Sequence, residues 1–452
     1  MDLVYKVSDK PSFNKILLFA IQQLLAIIAG TIAVPMIVGN GMSPSAALFG
    51  AGIGTLVYLL ITKFKSPIFL GSSFTFIGSM TAAFAGAMTN AIGYVGLLIG
   101  SALAGLVYVL LSIISHFVGT KWINKVFPPI VIGPTVALIG LTLSPNAVVN
   151  LLKGNVFQDG IMVANPYICL LCGVVTLVVA IICSVYGKKM VKLTPFIFGI
   201  FAGYIVALIF SLFGIIYDIN DLKIIDFSPF QDIKWLPEFA FIKVFKGFQD
   251  FNDMSDFIKY FLTIFIGYVP VAFVCFAEHV ADHKNLSFII GEDLLSTPGL
   301  KCTLLGDGLG SAIGSFFGGC PNTTYGESIS CVAFSRNASI ITIVVTSIMA
   351  ILVSFFGPLM SFAETIPPCV MGGLSIALYG FIASSGLQML KGIDFTESKN
   401  IFVISSIFVV GIGGLTVRFY HFEFSPIANA LVVGILINIL VNIKTKKKEE
   451  EN

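Results

Sequence analysis

Charged side chains are scarce in this sequence. Of its 452 residues only 11% are Asp, Glu, Lys or Arg, whereas about 25% is usual for a soluble domain. So few charges cannot cover a water-exposed surface, which excludes an ordinary soluble enzyme or binding domain. The formal net charge of +2 is small and evenly spread, and this excludes an extended basic surface for nucleic acid.

Histidine is also rare, and the cysteines form no metal-binding or disulfide pattern. Nearly all of the eight cysteines lie within or beside apolar runs, where a thiol behaves as a small hydrophobic group. His279 and His283 are four residues apart in EHVADH, but the order differs from the H-E-x-x-H of helical zinc sites. We therefore predict no metal site, no cofactor and no enzymatic activity. A membrane enzyme is the alternative, and it would require chemical change of the solute.

Long apolar runs dominate the sequence. Apolar residues make up 56% of it, and runs of nearly 20 residues are long enough to cross roughly 30 Å of hydrocarbon as a helix. The sequence thus predicts an all-α polytopic protein with the lipid bilayer around it. Fourteen spans are predicted, near 16–38, 44–62, 69–90, 93–117, 128–147, 165–186, 195–217, 258–280, 302–318, 323–334, 338–358, 366–386, 400–417 and 425–443.

The connections between these runs predict the orientation in the membrane. Lysine and arginine accumulate in alternate short connections, which the positive-inside rule places in the cytoplasm. Both termini are then cytoplasmic, in the cell membrane, and residues 446–452 form a solvated tail. The acid-rich segment 218–256 is predicted to be the only sizeable outer loop. The run 16–38 is long and contains two glutamines, so we expect a span there rather than a cleaved signal peptide.

Three landmarks recur in the same order in the two halves, residues 1–217 and 257–445. A Gly-x-Gly motif begins at Gly52 and Gly308, polar and aromatic runs occupy 71–78 and 321–328, and Pro-Pro-x-x-x-Gly begins at Pro128 and Pro367. Since seven spans is an odd number, the second copy is inverted, giving a 7+7 inverted repeat. Such repeats place a substrate site near the membrane midplane, between broken helices. We predict that short strands break spans 3 and 10 there.

Acidic residues within the spans are candidates for function, because a carboxylate in hydrocarbon is costly and usually faces a pathway. Glu278 and Asp282 are four residues apart on one face of span 8, and Glu327 follows Tyr325-Gly326. We expect a proton to neutralise Glu278 or Asp282 while a loaded site crosses the membrane. Asp307 in span 9 is predicted to be a structural hydrogen-bond partner.

Four segments carry a resemblance to a known family: FAEHV at 276–280, DLLSTPGL at 293–300, PNTTYGE at 321–327 and VMGGLSIALYG at 370–380. Here the chain resembles the bacterial uracil branch of the nucleobase/ascorbate transporters, also called nucleobase/cation symporters. The resemblance implies proton-coupled uracil import by alternating access, commonly by a homodimer. It also implies a core domain of spans 1–4 and 8–11 and a gate domain of spans 5–7 and 12–14.

The same resemblance implies a set of substrate-binding residues. Glu278 and Glu327 match the two carboxylates that bind the base, and the other matched positions are Phe74, Tyr325, Gly326, Tyr379 and the pocket-lining Gly30. Uracil presents two N–H donors and two carbonyl acceptors on a flat ring. Carboxylates, backbone N–H groups and aromatic rings would complement it.

Two departures from the family pattern leave alternatives open. Asp282 stands where the best-known uracil permease has a histidine implicated in proton coupling, and Ser328 and Ser330 stand where Asn-x-Gly is usual. The alternative substrates are xanthine, urate or another nucleobase. An anion transporter of the related sulfate-carrier fold is disfavoured, because the predicted pocket holds two carboxylates and no Lys or Arg. A channel would differ in showing neither saturation nor counterflow.

Overall fold

The computed structural model shows a largely helical protein and describes residues 3–118, 128–158, 160–188, 190–419, 422–424 and 426–450. The helices of the first half are α1 (Phe13–Val38), α2 (Pro44–Ile61), α3 (Ile77–Ala85), α4 (Asn90–Val118), α5 (Pro129–Asn150), α6 (Pro166–Tyr186), the short α7 (Met190–Leu193) and α8 (Pro195–Ile216). The helices that follow are α9 (Ala240–Gln249), α10 (Met254–Ile290), α11 (Leu300–Gly318), α12 (Gly326–Ser335), α13 (Ile340–Ser354), α14 (Gly357–Thr365), α15 (Pro368–Gln388), α16 (Ser398–Ile412) and α17 (Pro426–Glu450).

Eight helices in the described part of the chain are long and apolar enough to cross a membrane: α1, α2, α4, α5, α6, α8, α10 and α15. A ninth span is formed if α13 and α14, bent by 76° at a short break, are counted together. The prediction of a polytopic helical membrane protein is therefore confirmed. The remaining predicted spans contain α3, α11, α12, α16 and α17, which are not among these helices. The number fourteen therefore stays a prediction.

Proline marks the start of several of these helices. A proline in the first turn lacks an N–H that would be unpaired there in any case, and its fixed φ suits the helix. In α2 and α6 the preceding residue also caps the helix, since Ser43 Oγ accepts from Ala46 N and Asn165 Oδ1 accepts from Tyr167 N. The local sequence thus sets these starts. Among the eight long apolar helices, the first-turn prolines are Pro44, Pro129, Pro166, Pro195 and Pro368.

Glycines allow helices of the two halves to approach closely. A Cβ on Gly54 of α2 would lie 2.6 Å from the carbonyl oxygen of Gly310 of α11. Likewise, a Cβ on Gly133 of α5 would lie 2.7 Å from the carbonyl oxygen of Gly386 of α15. Each half therefore contributes one helix to each close pair.

Six short strands form three antiparallel pairs in the described residues. The pair β1 (Leu70–Ser72) and β4 (Asn322–Thr324) joins the two polar runs, with Ser72 opposite Asn322. The pairs β2 (Phe157–Gln158) with β3 (Ile161–Met162), and β5 (Val417–Phe419) with β6 (Phe422–Phe424), are hairpins. The β1–β4 pair brings the beginnings of α3 and α12 together.

The segment 218–256, which the sequence predicts to be an outer loop, contains regular secondary structure. It contains α9, whose Ala240, Val244 and Gly247 are buried. A Cβ on Gly247 would collide with the backbone of Ala91 in α4, so α9 packs directly on that helix. Its sequence alternates aromatic and lysine residues. Because this stretch contains no long apolar run, the sequence analysis predicts no helix here.

Candidate functional site

A cavity of about 500 Å³ lies between α10, β4 and α12 on one side and α5, α8 and α15 on the other. Its volume falls within the roughly 300–1,000 Å³ of typical ligand pockets. Six of the predicted site residues line it: Phe74, Glu278, Asp282, Tyr325, Gly326 and Glu327. The structure therefore gathers residues from three distant stretches of the sequence into one place.

The β1–β4 pair positions two of these stretches. β1 leads through Phe74 and Thr75 into α3, and β4 leads through Tyr325 into α12. The strands are antiparallel, so the chain leaves the pair at opposite ends, and residues that follow each strand line the same cavity. α12 begins at Gly326, so the first-turn N–H groups, which lack partners within the helix, lie at the cavity wall. A helix N-terminus carries a partial positive charge that attracts carbonyl oxygens and anions.

Two hydroxyl groups hold the acids of α10. Thr75 Oγ1 donates to Glu278 Oε2 at 3.1 Å, and Thr324 Oγ1 donates to Asp282 Oδ2 at 2.6 Å. Thr75 follows β1 and Thr324 ends β4, so each polar run orients one carboxyl group. Both acids line the cavity together with the half-buried Glu327. This arrangement can accept N–H groups from a bound solute and can also hold a proton.

Two aromatic rings close one side of the cavity. The rings of Phe74 and Tyr325 are stacked with centroids 6.5 Å apart and planes 21° apart, and the Tyr325 hydroxyl donates to Ser72 O at 2.8 Å. Gly30 stands behind these rings, since a Cβ there would lie 3.1 Å from the Tyr325 hydroxyl oxygen.

Gly30 and Tyr379 are not among the residues that line the cavity. The side chain of Tyr379 is buried, whereas the neighbouring Leu378 does line it. A direct contact of Gly30 or Tyr379 with a substrate therefore stays a prediction.

Behind the acids, two histidines on the other face of α10 make buried hydrogen bonds. His279 Nδ1 lies 2.6 Å from Asp307 Oδ2, and His283 Nε2 lies 2.7 Å from the Tyr58 hydroxyl. Asp307 is thus the hydrogen-bond partner that the sequence predicts. Within the described residues no group of three or more His, Cys, Asp or Glu side chains is arranged to hold a metal ion.

Two further residues, Ser328 and Lys192, make contacts that the sequence did not reveal. Ser328 Oγ accepts from Gln23 Nε2 at 2.5 Å and from Phe69 N at 3.0 Å, so it ties α12 to α1 and to the residue before β1. Lys192 lines the cavity, with its Nζ 5.9 Å from the Phe334 ring centroid. The expectation of a pocket without Lys or Arg is therefore wrong. The sequence around a lysine in a short connection does not indicate which cavity its side chain will line after the helices pack.

Carboxyl groups in a cavity inside a polytopic membrane protein, at the start of a half-length helix, define a solute transporter. The comparisons with known proteins agree. Residues 14–419 match a family, Xan_ur_permease, that is described as a permease family, and the chain belongs to this family. It is a transporter rather than an enzyme.

Similar proteins cover nearly the whole chain. It is 35% identical to the uracil permease of Bacillus subtilis (strain 168), with 98% of this chain and 96% of that protein covered. It is 36% identical to the uracil permease of Bacillus caldolyticus, with 99% and 98% covered. It is 32% identical to the uracil permease of Escherichia coli (strain K12), with 98% and 95% covered.

Solved structures share the fold. The transmembrane domain of the cyanobacterial bicarbonate transporter BicA has a TM-score of 0.64 at 14% identity, with 96% of this chain and 100% of that chain covered. The murine anion transporter Slc26a9, in an inward-facing state, has a TM-score of 0.62 at 12% identity, with 97% and 69% covered. At such identities the likeness concerns the fold alone.

Proposed function

We propose that this protein imports uracil together with protons by alternating access. The observation that carries the proposal is one cavity that combines Glu278 and Glu327 with the open N-terminus of α12 and the Phe74 and Tyr325 rings. Relatives of 32–36% identity over nearly the full length are uracil permeases, which supports the substrate.

The groups in the cavity complement each part of uracil. Glu278 and Glu327 accept the two N–H groups, and charge-assisted hydrogen bonds of this kind are about twice as strong as neutral ones. Backbone N–H groups near Phe74 and the first-turn N–H groups of α12, near Gly326, donate to the two carbonyl oxygens. The aromatic rings pack against the flat base. Each group on the base then has a partner, so little polar surface is buried unpaired.

Asp282 carries the coupled proton in this proposal, with Glu278 as the second acceptor. Asp282 lies one helical turn from Glu278 on the same face of α10, and Thr324 holds its carboxyl group. A protonated Asp282 lowers the charge that must move with the loaded site. Release of that proton to the cytoplasm, where protons are less concentrated under an inward pH gradient, then favours release of the base on that side.

The architecture proposed for transport is a 7+7 inverted repeat in the cell membrane, with residues 1–217 and 257–445 as the two copies, 218–256 outside and both termini in the cytoplasm. Spans 1–4 and 8–11 form the core domain and spans 5–7 and 12–14 the gate domain, in a homodimer. The cavity contains Lys192 and Gln388, which adjoin lysine-containing connections that the positive-inside rule assigns to the cytoplasm. In this proposed orientation the structure corresponds to an inward-facing state.

Uptake of labelled uracil into proteoliposomes with an imposed pH gradient tests this proposal. We expect saturable, gradient-driven accumulation that unlabelled uracil competes for more strongly than xanthine, hypoxanthine or thymine. Stronger competition by xanthine or another purine would show that this base, rather than uracil, is the preferred substrate. Flux without saturation or counterflow would indicate a channel.

Anion transport is the less favoured alternative. Lys192 is one positive group in the cavity, against Glu278, Asp282 and Glu327. Because a bound anion would face three carboxyl groups, repulsion disfavours it. Competition by sulfate or bicarbonate in the same uptake assay would favour anion transport over nucleobase transport.

A further inference from the structure

A second cavity, of about 290 Å³, lies between the last turn of α1 and the first turn of α15. The end of α5 and the end of α14 also border it. All these helix ends lie on the side opposite the lysine-rich connections, which is the outside in the proposed orientation. Like the central cavity, it lies between helices assigned to the core and helices assigned to the gate.

We propose that this outer cavity is an entry site that binds the nucleobase from outside before the central site opens to it. The proposal rests on the proposed function, because it assumes a flat heterocyclic substrate that enters between core and gate. It concerns residues that lie apart from the central cavity.

Polar groups in the outer cavity match the hydrogen-bonding groups of a nucleobase. Glu364, exposed on the last turn of α14, is a carboxyl group that can accept N–H donors. Asn150 and Asn155 each offer both a donor and an acceptor. The Asn155 amide nitrogen makes long bonds of 3.4 Å to the carbonyl oxygens of Thr365 and Ile366, which a ligand with a better-placed acceptor would replace.

Three methionines supply the surface for a flat ring. Met42 and Met371 are buried and Met36 is half-buried, and all three line the outer cavity. Thioether groups are flexible and polarisable, and they contact aromatic rings favourably. Such adaptable contacts suit a site that binds its ligand only briefly.

A buried apolar cluster separates the two cavities. It contains Ala33 of α1 and Met371 and Leu374 of α15, and Phe74 packs against it. Met371 also lines the outer cavity, and Phe74 also lines the central one. A movement that parts α1 from α15 would therefore open a direct path from Glu364 to Glu327.

Protection of an introduced cysteine tests the outer site. Ile37→Cys places a thiol in the outer cavity, and a charged, membrane-impermeant methanethiosulfonate reagent labels it in intact cells. The Glu327→Gln background removes central binding, so protection by uracil then reports the outer site. We expect uracil to slow labelling, and Glu364→Gln to raise the half-protecting concentration about tenfold or more, as for the loss of one charge-assisted hydrogen bond.

Glu292→Gln is the matched control, because Glu292 is exposed in the connection after α10, on the opposite side of the membrane in the proposed orientation. It should leave protection unchanged, and the protein without Ile37→Cys gives the background from the native cysteines. If Glu364→Gln does not fold, Asn150→Ala takes its place with the same expectation. Absence of protection, or equal effects of Glu364→Gln and Glu292→Gln, would overturn the outer site. If the unaltered chain still takes up uracil in that case, the proposed function stands.

Discussion

At the scale of single residues, the proposed function divides three tasks among the side chains that line the central cavity. They are hydrogen bonding to the base, packing on its ring and holding a proton. Glu327, at the start of α12, and Glu278 accept hydrogen bonds from the base in the proposed function. In the same proposal Phe74 packs on the ring of the base and Asp282 holds a proton. Thr75 and Thr324 orient the two acids of α10. Each task can be removed by one substitution, so the tasks can be tested one at a time.

Glu327→Gln should abolish detectable uracil binding. The amide offers one acceptor oxygen and an NH₂ group where the base needs a carboxylate, and loss of a charge-assisted hydrogen bond costs about 1.5–3 kcal/mol. Calorimetry on the purified, folded protein measures the effect. Unchanged affinity would remove Glu327 from the substrate site.

Phe74→Ala should weaken uracil binding while the thermal stability of the ligand-free protein changes little. Phe74 is only partly buried and faces the cavity, and aromatic pair contacts contribute about 0.5–1.5 kcal/mol. Melting curves with and without uracil provide both readouts. A much lower melting temperature without ligand would make Phe74 a packing residue.

Asp282→Asn should retain uracil binding but lose accumulation driven by a pH gradient. Exchange of labelled for unlabelled uracil should persist, because exchange by a loaded carrier needs no net proton release. Thr324→Val, which removes the hydrogen bond to Asp282, should change the pH dependence in the same assay. Asp232→Asn, at an exposed position in the segment 218–256, is the control. Normal accumulation by Asp282→Asn would assign the proton to Glu278 alone.

At the scale of helices and strands, close contacts between the two halves hold the site in place. α2 packs on α11 through facing glycines, and the Asn322 amide of β4 donates to Gly50 O at 3.0 Å. The strand that leads to Glu327 is therefore fixed by the same helix pair.

Gly54→Ala should lower the melting temperature and reduce transport together. The added Cβ would lie 2.6 Å from both Gly310 O and Asn322 Nδ2, and overpacking of this kind costs about 1–3 kcal/mol. Gly267→Ala in α10 is the matched control, because no atom beyond the neighbouring backbone of α10 lies within 4 Å of the added Cβ. A neutral Gly54→Ala would show that α2 and α11 can separate without cost.

At the scale of the whole molecule, the central cavity faces one side while an apolar cluster closes the other. That asymmetry is what alternating access requires, since a carrier open to both sides would act as a channel. In the proposed function, transport then depends on relative movement of α1 and α15.

Cross-linking α1 to α15 should therefore stop transport without stopping binding. In the double variant Met36→Cys and Met371→Cys, a short bifunctional thiol reagent would hold the outer side closed. We expect uracil exchange in proteoliposomes to fall to background, while calorimetry still detects binding from the open side. Each single variant, treated in the same way, should remain active. Continued exchange in fully cross-linked protein would contradict movement between these helices.

The sequence by itself determined the membrane location, most of the helix positions and the acids to examine. These follow from local properties: the transfer of an apolar helix into lipid depends on the residues of that helix, and a spacing of four puts Glu278 and Asp282 on one face. The paired polar runs at 71–78 and 321–328 were equally visible, and they contain β4 and all but the first residue of β1.

Only the tertiary structure decided which side chains meet. Thr75 and Glu278 are 203 residues apart, and no local pattern encodes their hydrogen bond. The same holds for Lys192 in the cavity wall, for Ser328 as a link to α1, and for Gly30 behind the aromatic rings. Such contacts arise from the way packed helices fit together, which depends on the shapes of many side chains at once.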